Sequence, residues 1–226
     1  MNEEMYDKLM LAHLKANLDS LESATTWIFI TLLIVVLASF RNDDTLEFAS
    51  FKVERRYGGP IVYAMLVGLN FQILKLLYNV NAVVNELNCI DKLAETQQVL
   101  HKHPWIFNPF SEYSSSTSII LDNFGYVFLI VTWWIGNAVA FKLMYRENRK
   151  VKRIGFILAV LYTLFGLLSM AFIHAIMDTV TISSHKLQTH TDGIIVGIIA
   201  GSIIFTSMIR PLRLKLKKER AESQHN

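Results

Sequence analysis

The chain has 226 residues, 52% hydrophobic and only 18% charged, whereas a soluble domain carries about 25% charged residues. That length suits one compact helical bundle, and the single cysteine, Cys89, excludes an intrachain disulfide framework. The net charge of +3 says little as a sum; the uneven placement of the basic residues says much more.

Residues 2–22 hold Glu3, Glu4, Asp7, Asp19 and Glu22 and lack the apolar core of a cleavable signal peptide. Tyr6, Met10, Leu14, Leu18 and Leu21 recur at helical spacing, which predicts an amphipathic helix that lies at the interface or extends the first span. Five apolar blocks then approach the roughly 20 residues needed to cross a bilayer: 23–40, 61–80, 126–145, 154–177 and 193–209. The fold class expected is an all-α integral membrane protein, a bundle of five transmembrane helices. Four spans are the alternative if one of the first two blocks dips in and returns. Between the first two blocks, residues 46–57 alternate weakly in polarity, as a short strand or hairpin would. Pro60 suits the first helical position of the second span.

After that span the apolar periodicity continues through Val83, Val84, Leu87, Ile90, Leu93 and Leu100 to Pro104, predicting an extended amphipathic helix. Trp105, Phe107, Phe110 and Tyr113 around Pro104 and Pro109 resemble an interfacial aromatic anchor, and a serine-rich linker follows. Residues 81–123 are thus read as an extramembrane helix and loop, and 210–226 as a basic tail.

Lys and Arg accumulate in cytoplasmic segments. Arg146, Arg149, Lys150, Lys152 and Arg153 fall between the third and fourth blocks, and Arg210, Arg213, Lys215, Lys217 and Lys218 follow the fifth. Both patches are expected on the cytoplasmic side, held against lipid headgroups, with the N-terminus outside.

Three polar or small-residue patterns bear on function. Gly68, Gln72, Lys75 and Asn79 step by four, three and four, forming one stripe on the second span. It reads either as a pore lining or as inter-helix hydrogen bonding with Lys75 reaching for the interface. Thr132, Gly136 and Ala140, and Gly193, Gly197 and Gly201, are small-residue faces suited to close helix packing or oligomerisation. His174 and Asp178 form an ionisable pair, one helical turn apart, at a membrane boundary. The histidines at 101, 103, 174, 185 and 190 match no compact zinc spacing and read as scattered surface residues, so neither metal nor cofactor is expected.

The functional expectation is a homo-oligomeric channel or membrane-permeabilising effector without enzymatic activity. The alternatives are a non-catalytic anchor or regulatory subunit, docking through 81–103 or the basic tail, and, third, a small transporter or intramembrane enzyme. The partners expected are the lipid bilayer and further copies of the chain, not nucleic acid.

Overall fold

Three helices in the computed structural model are far longer than a bilayer is thick. The structure describes residues 3–40, 45–48, 51–105, 107–110, 124–144, 149–180 and 198–199, with side chains for 4–34, 60–105, 107–110, 127–138, 153–180 and 198–199. Helix α1 (Glu3–Phe40) has 38 residues, α2 (Arg55–Cys89) 35, and α5 (Arg149–Val180) 32. At about 1.5 Å per residue each exceeds 45 Å, against a hydrocarbon core of about 30 Å. Helices α3 (Leu93–Lys102) and α4 (Phe124–Met144) are the other helices of more than two residues among the described ones.

The amphipathic segment at 2–22 and the first apolar block form one continuous helix. Leu14, Leu18, Leu21, Thr25, Ile28 and Leu32 are all buried, at steps of four and three residues. On α2, Tyr63, Leu66, Asn70, Ile73, Leu77, Val80, Val84 and Leu87 do the same. Two seven-residue repeats facing each other let side chains interdigitate along the whole pair.

The helix directions follow from the side-chain pairs. Tyr6 donates a hydrogen bond to the Glu86 carboxylate, and Thr25 and Ile28 line the same cavity as Asn70 and Ile73, so α1 and α2 are antiparallel. The Phe71–Phe165 rings lie 5.4 Å apart and the Tyr78–Phe172 rings 5.8 Å, so α2 and α5 are parallel. Gly136 faces Tyr162 and Trp133 faces Gly166, so α4 runs against α5. The chain segments that precede α2 and α5 therefore meet the bundle at one end, and the N-terminus of α1 lies at the other.

Before α2 stands the hairpin that the alternation at 46–57 suggests: β1 (Thr45–Phe48) pairs antiparallel with β2 (Phe51–Glu54), Leu46 opposite Val53 and Glu47 opposite Lys52. It is the exception to an otherwise helical description. Helix α2 starts directly after β2, so Pro60 lies inside the helix rather than at its first position. At the sixth position Pro60 lies past the donors that lack intrahelical partners, so it removes one bond, to the Arg56 carbonyl, from the second turn.

The extended amphipathic helix after the second span is also two helices, not one. Asp91 takes φ 57°, its amide donates to the Asn88 carbonyl at 3.2 Å, and the Lys92 amide donates to the Leu87 carbonyl at 3.0 Å. Those two bonds make a Schellman stop, with an aspartate in the left-handed position that glycine usually fills. Helix α3 then folds back, and Leu100 is buried with Leu14, Leu18 and Leu87 in a headpiece beyond the apolar band.

Candidate functional site

Among the described residues, two helices are long and apolar enough to cross a membrane: α2 over Pro60–Cys89 and α5 over Arg153–Val180. In its most apolar window only 22% of α5 is buried. Its outer face carries Ile154, Phe156, Ile157, Val160, Leu164 and Leu167, each 47% exposed or more among the described residues. The core helix of a soluble protein hides such side chains. Trp27, Leu33 and Ile34 of α1 and Ile61, Met65 and Phe71 of α2 are likewise exposed, at heights matching the exposed part of α5.

The polar stripe lies on this outer surface. Gly68, Gln72 and Lys75 are exposed and Asn79 is half-buried. A Cβ built on Gly68 meets nothing within 4 Å. Gln72 and Lys75 make no hydrogen bond or ion pair among the described residues, so the inter-helix bonding expected of this stripe is not made within the described chain. The antiparallel register sets Lys75 level with Glu22 and Ser23, where α1 turns from polar to apolar, whereas Gly68 and Gln72 lie deeper in the apolar band.

The hydrogen bonds inside the bundle come from residues outside the stripe. Asn70, 6% exposed, donates to the Tyr162 carbonyl at 3.1 Å. Tyr63 donates to Asn137 Oδ1 at 3.2 Å, and Asn137 donates in turn to the Trp133 carbonyl at 3.2 Å. Buried amides and hydroxyls in a helical bundle need such partners, because lipid offers none. Beside them a cavity of about 50 Å³ is lined by Asn70, Thr132, Ser169 and Tyr162 among mainly apolar neighbours. A water needs roughly 10–15 Å³ of such space, so the cavity suits a few waters, and the buried Ser169 hydroxyl has no other partner among the described residues.

Of the small-residue faces, Thr132 is buried and Gly136 meets Tyr162 so closely that an added Cβ would stand 2.5 Å from its hydroxyl. This face is used within one chain. Ala140 lies in α4 with its side chain outside the described set, and Gly193, Gly197 and Gly201 lie outside the described residues. His174 is half-buried and Asp178 is exposed, one turn apart on α5. The parallel register places His174 beyond Lys75 along the bundle, with Lys75 facing outward, so these ionisable groups do not converge. Of the headgroup-anchoring set, Arg149, Lys150, Lys152 and Arg153 belong to the first turn or so of α5, and Arg153 is exposed. Arg146 and the tail residues Arg210, Arg213, Lys215, Lys217 and Lys218 lie outside the described residues.

The aromatic anchor folds inward. Phe107 stacks on Phe128 of α4 at 3.7 Å and packs on Phe29 of α1 at 6.1 Å, while Trp105 and Phe110 are buried. Asn108, 1% exposed, ties this turn together. Its Nδ2 donates to the Leu100 carbonyl at 2.7 Å, and its Oδ1 accepts from the Phe110 amide at 2.9 Å. Around the headpiece, Lys92 pairs with Asp7 at 3.4 Å and with Glu95 at 3.6 Å. The hydrogen bond to Asp7 and both carboxylates raise the Lys92 pKa, and the bond to Glu86 raises that of Tyr6.

His103 is the clearest departure from the scattered-histidine reading. Its side chain is 2% exposed, and Nε2 lies 2.9 Å from Asp19 Oδ1. The signal available in the sequence was only its place between a basic helix end and Pro104. No family model, characterised protein or solved structure matches the chain.

Proposed function

We propose that this chain is a multi-pass membrane protein that assembles from identical copies and conducts ions, with the outer face of α2 at the contact between copies. Its apolar blocks cross the bilayer five times, the basic segments lie in the cytoplasm and the headpiece lies outside. One observation carries the assembly: Gly68, Gln72 and Lys75 stand exposed on an apolar helix of spanning length. An amide facing lipid is expensive, and a second copy or a water-filled path removes that cost. The bundle interior favours a path between copies over one within the chain, because Tyr63, Leu66, Leu77 and Tyr162 fill it.

Lys75, at the edge of the apolar band, would then form a ring at the outer mouth and favour anions. The test is conductance in liposomes holding purified protein, with particle stoichiometry measured in nanodiscs. The expected result is a discrete multimer whose anion preference reverses in Lys75→Glu and whose conductance falls in Gln72→Leu. A monomer in nanodiscs, or conductance and selectivity untouched by both changes, refutes the reading.

A regulatory or anchoring subunit is the second reading, favoured by Met5 and Leu9, 57% and 59% exposed on the headpiece. It predicts a stable hetero-complex and no conductance by the chain alone.

A further inference from the structure

We propose that Asp19, Glu22 and His103 form a site for a divalent transition-metal cation of the Zn²⁺ class, clamping the end of α3 to α1 where α1 leaves the headpiece. One ligand atom from each residue, the His103 ring nitrogen and a carboxylate oxygen from each acid, lies within 4.8 Å of the other two. Asp19 and Glu22 are three residues apart on α1, hence neighbours on one helix face. His103 comes from the turn after α3, so the site bridges two elements that are distant in sequence.

The geometry is close to what such a cation needs. Zn–N and Zn–O bonds of about 2.0–2.2 Å at a tetrahedral angle put two ligand atoms roughly 3.3–3.6 Å apart. His103 Nε2 and Asp19 Oδ1 are 2.9 Å apart, so a few tenths of an ångström admit the ion between them. The Glu22 carboxylate, within 4.8 Å of the other two ligand atoms, has to close in to supply the third ligand. A fourth position stays open toward solvent on the side of Asp19, whose side chain is 59% exposed.

One further observation points to a cation rather than a simple Asp–His pair. Glu22 is half-buried, yet its carboxylate makes no ion pair or hydrogen bond among the described residues. Two carboxylates beside one enclosed imidazole carry more negative charge than the ring offsets, with Lys15 and Lys102 along the neighbouring groove but in no ion pair with either among the described residues, and a divalent ion would hold the two acids together. His103 Nδ1 is enclosed without a hydrogen-bond partner among the described residues, so whatever holds the ring acts through Nε2. Cation binding moves the ring's single N–H to Nδ1 and leaves the Nε2 lone pair for the metal.

The experiment uses the full-length protein in detergent, stripped with a chelator and titrated with ZnCl₂, with Co²⁺ as a spectroscopic substitute. The expected result is one ion per chain, a raised melting temperature and a visible Co²⁺ band of tetrahedral type. Glu22→Gln keeps size and fold while removing a ligand charge, and should weaken Zn²⁺ binding at least tenfold with the metal-free melting temperature unchanged. His103→Gln should abolish the Co²⁺ band. If the wild-type protein binds no metal, or if Glu22→Gln binds Zn²⁺ as tightly as wild type, the site is only an ion pair and the proposal is overturned. The result is independent of whether the protein conducts ions.

Discussion

Gly136→Ala should destabilise the bundle, although alanine is the better helix former. The added methyl would stand 2.5 Å from the Tyr162 hydroxyl, 2.9 Å from Cζ and 3.1 Å from Cε1. Ordinary contact begins near 3.4 Å, so the phenol would have to retreat by 0.9 Å. It has little room, being 1% exposed and packed on the Tyr63 ring at 5.7 Å. Overpacking of this kind costs about 1–3 kcal/mol, against a helix-propensity gain of about 1 kcal/mol for replacing glycine. The net loss is then up to about 2 kcal/mol, and at about 2–4 °C per kcal/mol for a chain of this size the melting temperature should fall by up to roughly 8 °C. Circular dichroism of the purified protein in detergent reads this directly. Tyr162→Phe removes the nearest atom, so the double variant should recover part of the loss, a coupling that a thermodynamic cycle measures. Gly68→Ala is the internal control: with open space around it, the same change should be neutral or stabilising in the monomer. If Gly136→Ala is as well tolerated as Gly68→Ala, the proposed packing of α4 on α5 is wrong.

The open space at Gly68 also tests assembly, because Gly68→Leu should leave the monomer folded yet disperse any multimer that uses this face, as native mass spectrometry in nanodiscs would show. Asn108→Ala should free the carbonyl of Leu100 and the amide of Phe110 and cost about 1–3 kcal/mol, with faster proteolysis between α3 and α4 as the readout. Tyr6 and Lys92 both have raised pKa values, so the folded headpiece holds their protons more tightly than the unfolded chain does. Their contribution is full below the ordinary values of 10.0 and 10.5 and is lost as pH rises through the folded ones. Hydrogen exchange in the first turns of α1 should therefore accelerate above about pH 10 in wild type, and less so in Tyr6→Phe.

Much of this fold was legible because burial follows simple periods. The face Leu14–Leu18–Leu21 is plain in the sequence, as are the bounds of α4 and α5 to within a few residues and the alternation that becomes β1 and β2. The break at Asp91 was not, since neither glycine nor proline marks it and the apolar spacing runs straight across. The inward place of Asn70 follows from the three- and four-residue spacing that α2 buries, which Gln72 does not share, but its bonding partner was beyond a periodic reading. That partner is the carbonyl of Tyr162, 92 positions away in sequence. His103 was missed for the same reason: its partner, Asp19, lies 84 positions away.

Helix α1 runs without interruption from the headpiece into the apolar band, and α2 does the same in the opposite direction. Neither contains a hinge between the two regions, and their interlocking side chains forbid sliding by less than a full repeat. A push on the headpiece, from a docked partner or a bound ion, therefore cannot be absorbed locally. It is delivered as tilt or rotation of two stiff rods, and the outward face carrying Gly68 and Gln72 turns with them.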